Sequence, residues 1–106
     1  YLRLWLTGDH VAEMSDAAGT SWLDVGARDW SDDLLSLTGL SRTQMPRLVE
    51  GSAVSGTLRP ALARRWGLPG GVIVAGGGGD NAASAVGTGV VRAGEAFVSL
   101  GTSGVL

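Results

Sequence analysis

The chain has 106 residues, a formal net charge of −2 at pH 7 and no cysteine. This length allows one domain at most, and the weak negative charge excludes a general attraction to nucleic acid or anionic membranes. Without cysteine, disulfides and thiolate metal sites are excluded. No targeting segment is visible, and no apolar run reaches the roughly 18 residues of a membrane span. We therefore expect a cytoplasmic protein with neither nucleic acid nor a membrane as partner.

The two ends of the chain differ from those of a complete domain. The sequence starts at Tyr1 without an initiator Met and stops at Leu106 within an apolar run. Domain termini usually lie in polar, exposed segments, so we interpret the chain as an interior piece of a longer protein. Open strand edges in such a piece can pair with a second copy, which makes a homodimer a partner to test for.

Short helices and strands are predicted to alternate in the first half of the chain. They are the end of a helix over residues 1–6, helical turns over 9–18 with Asp9 and Ser15 as caps, a half-buried strand over 20–25 closed by a turn at Gly26 and Asp29, and a helix over 30–39. Gly8 has the position of a helix C′ residue. Ser31 is a good N-cap, and Gly39 ends the helix that Ser31 begins.

The second half is predicted to contain a loop, two helices and two buried strands. The segments are a loop over residues 46–56, a helix opened by Pro60, a buried strand over 72–75, a helix over 82–86 and a second buried strand over 96–100. In the helix after Pro60, we expect Leu62, Ala63 and Trp66 to face inward. Arg64 and Arg65 are expected to face solvent. Strands alternating with helices of this length predict an α/β fold.

Four consecutive glycines, residues 76–79, separate the predicted strand 72–75 from Asp80 and Asn81. Glycine lets a ligand approach the backbone and permits φ values that other residues resist. Asp80 therefore lies where a strand passes into a helix, and this position alone favours two interpretations equally. Asp80 is either a helix N-cap, contributing about 1 kcal/mol, or a reactive carboxylate facing the space that the glycines leave open.

A second glycine-bearing turn, Gly101-Thr102-Ser103-Gly104, follows the predicted strand 96–100. Its backbone N–H groups and hydroxyls are suited to holding phosphate. A carboxylate opposite a phosphate cradle is the arrangement that activates a hydroxyl for phosphoryl transfer. Neither turn is specific alone: the dinucleotide-binding pattern has no embedded Asp, and the Walker pattern needs a lysine, which this chain lacks.

Several short segments, read together, point to a known family. They are collinear over nearly the whole chain and comprise residues 6–8, 15–20, 29–31, 79–87, 94–95 and 98–104. This set resembles the FGGY family of carbohydrate kinases, with features typical of its xylulokinases. The resemblance implies a ribonuclease H-like, actin-like ATPase fold with two domains around a cleft. Residues 1–94 are then the C-terminal part of the sugar-binding N-terminal domain, and residues 95–106 the first strand and phosphate-loop turn leading into the ATP-binding domain.

The resemblance also implies a reaction and residue roles. The reaction is ATP-dependent phosphorylation of the terminal hydroxyl of a pentulose, D-xylulose first, with Mg²⁺ as cofactor and no metal ligand in this segment. Asp80 is implied to be the general base. Both Asp80 and Asn81 are implied to contact the sugar. Gly101, Thr102 and Ser103 are implied to approach the ATP phosphates. The sequence departs from the family pattern only in its long glycine run, where one position is more often Ala.

Other interpretations of the same residues stay open at this point. Asn81 also fits a first-turn helix residue, and Thr102 and Ser103 fit ordinary turn residues. Within the family, ribulose, gluconate, glycerol and polyols are alternative substrates. A non-catalytic, actin-like sugar-sensing module is the alternative from another class of protein. The segment alone is expected to be inactive, because the rest of the cleft lies outside it.

Overall fold

A computed structural model describes residues 1–106, and it contains five short α-helices, two single-turn 3₁₀ helices (Ala18–Thr20 and Arg42–Gln44) and eight short strands. The helices are α1 Leu2–Thr7, α2 Met14–Ala17, α3 Asp32–Leu37, α4 Pro60–Arg65 and α5 Asp80–Gly87. The strands are β1 Val11–Glu13, β2 Leu23–Asp24, β3 Asp29–Trp30, β4 Arg47–Val49, β5 Val54–Thr57, β6 Ile73–Ala75, β7 Ser99–Leu100 and β8 Gly104–Val105. This mixture confirms the predicted α/β content. Every helix falls short of the length and apolar character needed to traverse a bilayer.

The strands pair as four separate two-stranded sheets. β1 and β4 run parallel, with Glu13 opposite Val49. The other pairs, β2 with β3, β5 with β6 and β7 with β8, are antiparallel. The parallel pair matters for the site, because it places Glu13, the last residue of β1, beside the end of β4, where the chain turns into β5.

The larger apolar cluster lies between α2, β2, β3 and α3. Its buried members are Ala17, Leu23, Trp30 and Leu35. The Leu35 side chain is 0% exposed, and the Trp30 indole N–H donates a hydrogen bond to the Pro46 carbonyl oxygen at 2.9 Å. A buried indole usually finds such a partner, so this bond holds the segment before β4 against the cluster.

The smaller cluster joins α4 to α1 and to the segment before β6. Its buried members are Leu58, Leu62 and Ala63, with Leu6 and Val72 packed against them. Two of the three residues predicted to face inward from α4 are therefore in the core. The prediction for Trp66 is wrong: its side chain is 46% exposed. Trp66 is the C-cap of α4 and lies against Trp5, with the ring centroids 5.8 Å apart.

Helix ends predicted from local signals are confirmed. Ser31 caps α3, its hydroxyl oxygen accepting a hydrogen bond from the Leu34 N–H at 3.3 Å. Gly8 ends α1 in the left-handed conformation, at φ 89°, and Pro60 is the first residue of α4. These signals act within one turn of chain, which is why the sequence alone identifies them.

Strand pairing over long sequence distances corrects two predictions. Residues 46–56, predicted as a loop, contain β4 and most of β5, and residues 9–18, predicted as helical turns, contain β1 ahead of α2. β1 pairs with β4 and β5 with β6, so these strands depend on partners that local composition does not show. The side chain that caps α2 belongs to Glu13, not to Asp9 or Ser15.

The strands predicted to be buried are largely exposed. Ile73 in β6 is 62% exposed and Leu100 in β7 is 83% exposed, and β7 covers only two residues of the predicted 96–100. Each strand has one partner in a two-stranded sheet, which leaves its apolar side chains without a covering layer. The predicted strand 20–25 is likewise reduced to β2, and Asp29 lies in β3 rather than in a turn.

Ser55 joins β5 to β6 through a buried hydroxyl. Its side chain is 0% exposed, and its oxygen lies 2.9 Å from the Val74 carbonyl oxygen and 3.0 Å from that of Ala75. Ser55→Ala removes this donor, so we expect the free energy of unfolding to fall by about 1–3 kcal/mol. The melting temperature of the full-length protein measures the effect. Ser52→Ala, in an exposed turn, is the control, and equal melting temperatures in the two variants would contradict the assignment.

Candidate active site

The glycine loop (residues 76–79) connects β6 to α5 and lies against the turn between β4 and β5. The Gly76 N–H donates to the Ala53 carbonyl oxygen at 3.0 Å, and the Gly77 N–H donates to that of Gly51 at 3.0 Å. These two bonds continue the β5–β6 pairing beyond the end of the sheet. The first half of the loop is thereby held by backbone alone.

Close backbone contact explains the glycines at positions 76 and 51, and a positive φ explains the glycine at position 77. A Cβ on Gly76 would lie 2.3 Å from the Glu50 carbonyl oxygen, and a Cβ on Gly51 would lie 2.5 Å from that of Gly77. Gly77 also has φ +94°, which favours glycine. The group that lies against Gly76 and Gly77 is therefore the protein's own backbone, and not the ligand expected there from the sequence.

The second half of the glycine loop is held by side chains of the β1–α2 junction. The Gly79 N–H donates to the Ser15 hydroxyl oxygen at 3.0 Å, and the Ser15 hydroxyl donates to the Glu13 carboxylate at 2.5 Å. Glu13 also accepts hydrogen bonds from the backbone N–H of Ser15 at 2.9 Å and of Asp16 at 3.1 Å. One carboxylate thus caps α2 and orients the hydroxyl that binds the loop.

The Glu13 carboxyl has a pKa below its ordinary value. Partial burial raises this pKa, but hydrogen bonds from the Ser15 hydroxyl and from the backbone N–H groups of Ser15, Asp16 and Gly79 together outweigh burial. All of these bonds favour the charged form. Glu13 is therefore an anion at neutral pH, acting as an acceptor only.

Two cavities border the glycine loop and share Glu13 and Gly78. The first has a volume of about 440 Å³ and lies between Ser15, the loop and the apolar side chains Ala82, Ala83 and Val86 of α5. The second has a volume of about 370 Å³ and is more polar, lined by Arg3, Glu13 and Asp16 beside the loop. Open space is present next to the glycines and is bounded by the β1–α2 junction, but Asp80 is not among the residues that line either cavity.

Asp80 is the first residue of α5 and is exposed. The N-cap of α5 is Gly79, and no side chain caps this helix, so the N-cap interpretation of Asp80 is wrong. The Asp80 carboxylate accepts a hydrogen bond from the Asn81 N–H at 2.8 Å and a longer one from the Asn81 side-chain amide at 3.4 Å. It forms no ion pair within this chain.

Residues 101–103 form the tip of an exposed hairpin between β7 and β8, as the predicted turn requires. The Gly101 N–H donates to the Ser103 carbonyl oxygen at 2.9 Å. The hydroxyls of Thr102 and Ser103 are exposed and take no part in a hydrogen bond within the chain. No hydrogen bond or ion pair joins this hairpin to the glycine loop or to α5, so the opposition of Asp80 and the hairpin stays a prediction.

The remaining pKa shifts belong to a surface ion pair distant in sequence from the glycine loop. Arg42 contacts the Asp29 carboxylate at 2.8 Å and that of Asp32 at 2.7 Å. The hydrogen bond from Arg42 is the main cause that lowers the pKa of Asp29, and Asp29 in turn raises that of Arg42. This group joins β3 to α3 and carries no feature of a ligand site.

Sequence reasoning missed Glu13 as a site residue and treated Ser15 as a local cap. The Ser15–Gly79 hydrogen bond spans 64 residues of sequence, and nothing in either segment alone indicates it. No group of three or more His, Asp or Glu side chains lies close enough to hold a metal ion. The residues present do not form a Mg²⁺ site by themselves.

Comparison with known proteins identifies the class of protein to which this chain belongs. The N-terminal domain of the FGGY family of carbohydrate kinases matches residues 1–87, and the chain belongs to that family. It is 60% identical over 105 residues to the xylulose kinase of Klebsiella pneumoniae and 59% identical to that of Escherichia coli K12, covering 99% of this chain and 22% of each relative. The crystal structure of a "xyloylose kinase" from Brucella ovis matches with a TM-score of 0.90 at 66% identity, over 98% of this chain and 22% of that one. The chain thus spans about a fifth of the length of these relatives.

Proposed function

We propose that this chain is the segment of an ATP-dependent pentulose kinase that carries the general base, with D-xylulose as the sugar. The observation that carries the proposal is Asp80, an exposed and unpaired carboxylate at the start of α5, directly after a glycine loop that borders a cavity of about 440 Å³. Membership of a carbohydrate kinase family and close similarity to xylulose kinases support the substrate class.

In the proposed reaction, the Asp80 carboxylate accepts the proton of the terminal sugar hydroxyl. The hydroxyl oxygen forms a bond to the γ-phosphorus of ATP while the bond from phosphorus to the β,γ-bridging oxygen breaks, and ADP leaves. Base catalysis of this kind contributes about 10²–10⁴-fold to the rate. Asn81 neighbours the base and has an amide with which to bind a sugar hydroxyl.

The 99–105 hairpin is proposed to hold the transferring end of ATP. The free hydroxyls of Thr102 and Ser103 and the glycine at position 101 suit a close approach of phosphate oxygens. Mg²⁺ bound with ATP would supply charge neutralisation at the phosphates, and no residue of this segment is proposed to ligate it. We place the reaction in the cytoplasm, where ATP is available as the phosphoryl donor.

The domain assignment belongs to the same proposal. We place residues 1–94 in the sugar-binding domain of a ribonuclease H-like, actin-like fold, and residues 95–106 at the entry to its ATP-binding domain. The match of the family's N-terminal domain to residues 1–87 supports a boundary in this part of the chain. In this arrangement, Asp80 lies close in sequence to the passage between the two domains.

A substrate panel tests the proposed function. The full-length enzyme is assayed for ADP formation with D-xylulose, ribulose, gluconate, glycerol and polyols, and the phosphorylated carbon of the product is identified. The expected result is the highest kcat/KM with D-xylulose and phosphate on its terminal hydroxyl. A preference for another sugar would overturn the substrate assignment. Sugar binding without ADP formation would indicate a sensing module instead of an enzyme.

A further inference from the structure

The Ser15 hydroxyl lies between the glycine loop and Glu13, and the proposed phosphoryl transfer does not use it. It accepts a hydrogen bond from the Gly79 N–H at 3.0 Å and donates one to Glu13. A serine hydroxyl has one hydrogen and two lone pairs, so both bonds form at once with consistent directions. Ser15 therefore connects the Glu13 carboxylate to the backbone of the glycine loop.

Glu13 keeps the Ser15 hydroxyl in one orientation. Its carboxylate is the N-cap of α2, bonded to the backbone N–H groups of Ser15 and Asp16. Its backbone lies in β1, opposite Val49 of β4. Because the pKa of Glu13 is lowered, the acceptor stays charged at neutral pH, where a charged acceptor forms the stronger hydrogen bond.

The loop residue that Ser15 binds is the one that sets the position of Asp80. Gly79 is the N-cap of α5 and has an extended backbone, with φ −60° and ψ 146°. No side chain caps this helix from within, and the Gly79 N–H donates instead to the Ser15 hydroxyl oxygen at 3.0 Å. Fixing the Gly79 peptide fixes the first residue of α5, which is Asp80.

We propose that Ser15, held by Glu13, is a positioning residue for the Asp80 carboxylate, an inference that rests on the proposed role of Asp80 as general base. Ser15 touches neither reacting atom. It fixes the position of the Asp80 carboxylate relative to the sugar hydroxyl. A misplacement of about 1 Å at a reacting group costs on the order of 10²-fold in rate.

Steady-state kinetics of Ser15→Ala in the full-length enzyme tests this role. We expect kcat to fall about 10–100-fold because the base is misplaced, while the dissociation constant of D-xylulose changes by less than about threefold. Ser15→Thr keeps a hydroxyl and is expected to recover most of kcat. Ser36→Ala, on the exposed face of α3, is the matched control and is expected to behave like the parent.

A double-mutant cycle separates positioning from a general structural role. If Ser15 acts through Asp80, then Ser15→Ala has little further effect on kcat in an Asp80→Asn background, because the group it positions is already disabled. A merely structural role would give the same fold-loss in both backgrounds. If Ser15→Ala does not fold, Glu13→Gln tests the role instead. Its neutral amide is a weaker hydrogen-bond acceptor for the Ser15 hydroxyl than the carboxylate, so we expect kcat to fall while the sugar affinity stays unchanged.

Parent-like kcat in both Ser15→Ala and Glu13→Gln would overturn the inference, as would equal losses in the two backgrounds of the cycle. Failure of the proposed function would give different experimental results. In that case the parent enzyme phosphorylates no sugar, or Asp80→Asn is as active as the parent. The two failures are therefore distinguished by the same set of proteins.

Discussion

Asp80→Asn is expected to lower kcat of the full-length enzyme by about 10²–10⁴-fold, the usual contribution of a general base. Asn has nearly the same shape as Asp and keeps the oxygen that accepts the hydrogen bond from the Asn81 N–H at 2.8 Å. The start of α5 is therefore preserved, and only the ability to take up a proton is lost. Sugar binding, measured by calorimetry or fluorescence titration, is expected to stay within about threefold of the parent value.

The matched control for this variant is Asp33→Asn. Asp33 is, like Asp80, an exposed acid in the first turn of a helix, but no glycine loop precedes it. We expect parent-like kcat from this variant. Turnover of Asp80→Asn within about threefold of the parent would remove Asp80 from the role of base.

Gly76→Ala is expected to destabilise the protein and displace the loop that leads to the base. The added Cβ would lie 2.3 Å from the Glu50 carbonyl oxygen, a contact between two backbones that no side-chain rotation relieves. Overpacking of this kind costs about 1–3 kcal/mol. The expected result is a lower melting temperature of the full-length enzyme, accompanied by reduced kcat.

Gly78→Ala is the control for stability. A Cβ at Gly78 meets its nearest atom, the Ser15 hydroxyl oxygen, at 3.9 Å, which is ordinary van der Waals contact, and Gly78 has no positive φ. Its melting temperature is expected to equal or slightly exceed that of the parent, because replacing glycine reduces the entropy of the unfolded chain. Equal melting temperatures for the Gly76 and Gly78 variants would contradict the backbone contact at Glu50.

Features set by neighbouring residues were predictable from the sequence. The Ser31 cap of α3, Pro60 at the start of α4 and the helix that follows the glycine loop all depend on interactions within one turn. The turn at residues 101–104 is of the same kind. The resemblance to the kinase family needed only the order of short motifs, and the match to residues 1–87 confirms it.

Features set by distant partners were not predictable. β4 and β5 lie in a segment without strong local strand signals, and they form because β1 and β6 offer backbone hydrogen bonds. The contact of Ser15 with Gly79 is of the same type, as it joins two segments 64 residues apart. The apolar strands β6 and β7 are exposed within this chain, because an apolar strand is buried only when another layer covers it.

A structure of the full-length enzyme with D-xylulose bound tests the role of Asp80 most directly. We expect one carboxylate oxygen of Asp80 within hydrogen-bond reach of the terminal sugar hydroxyl, about 2.6–3.2 Å away, with the Gly79 N–H still bound to Ser15. A terminal hydroxyl held by other residues, with the Asp80 carboxylate directed away from the sugar, would contradict it.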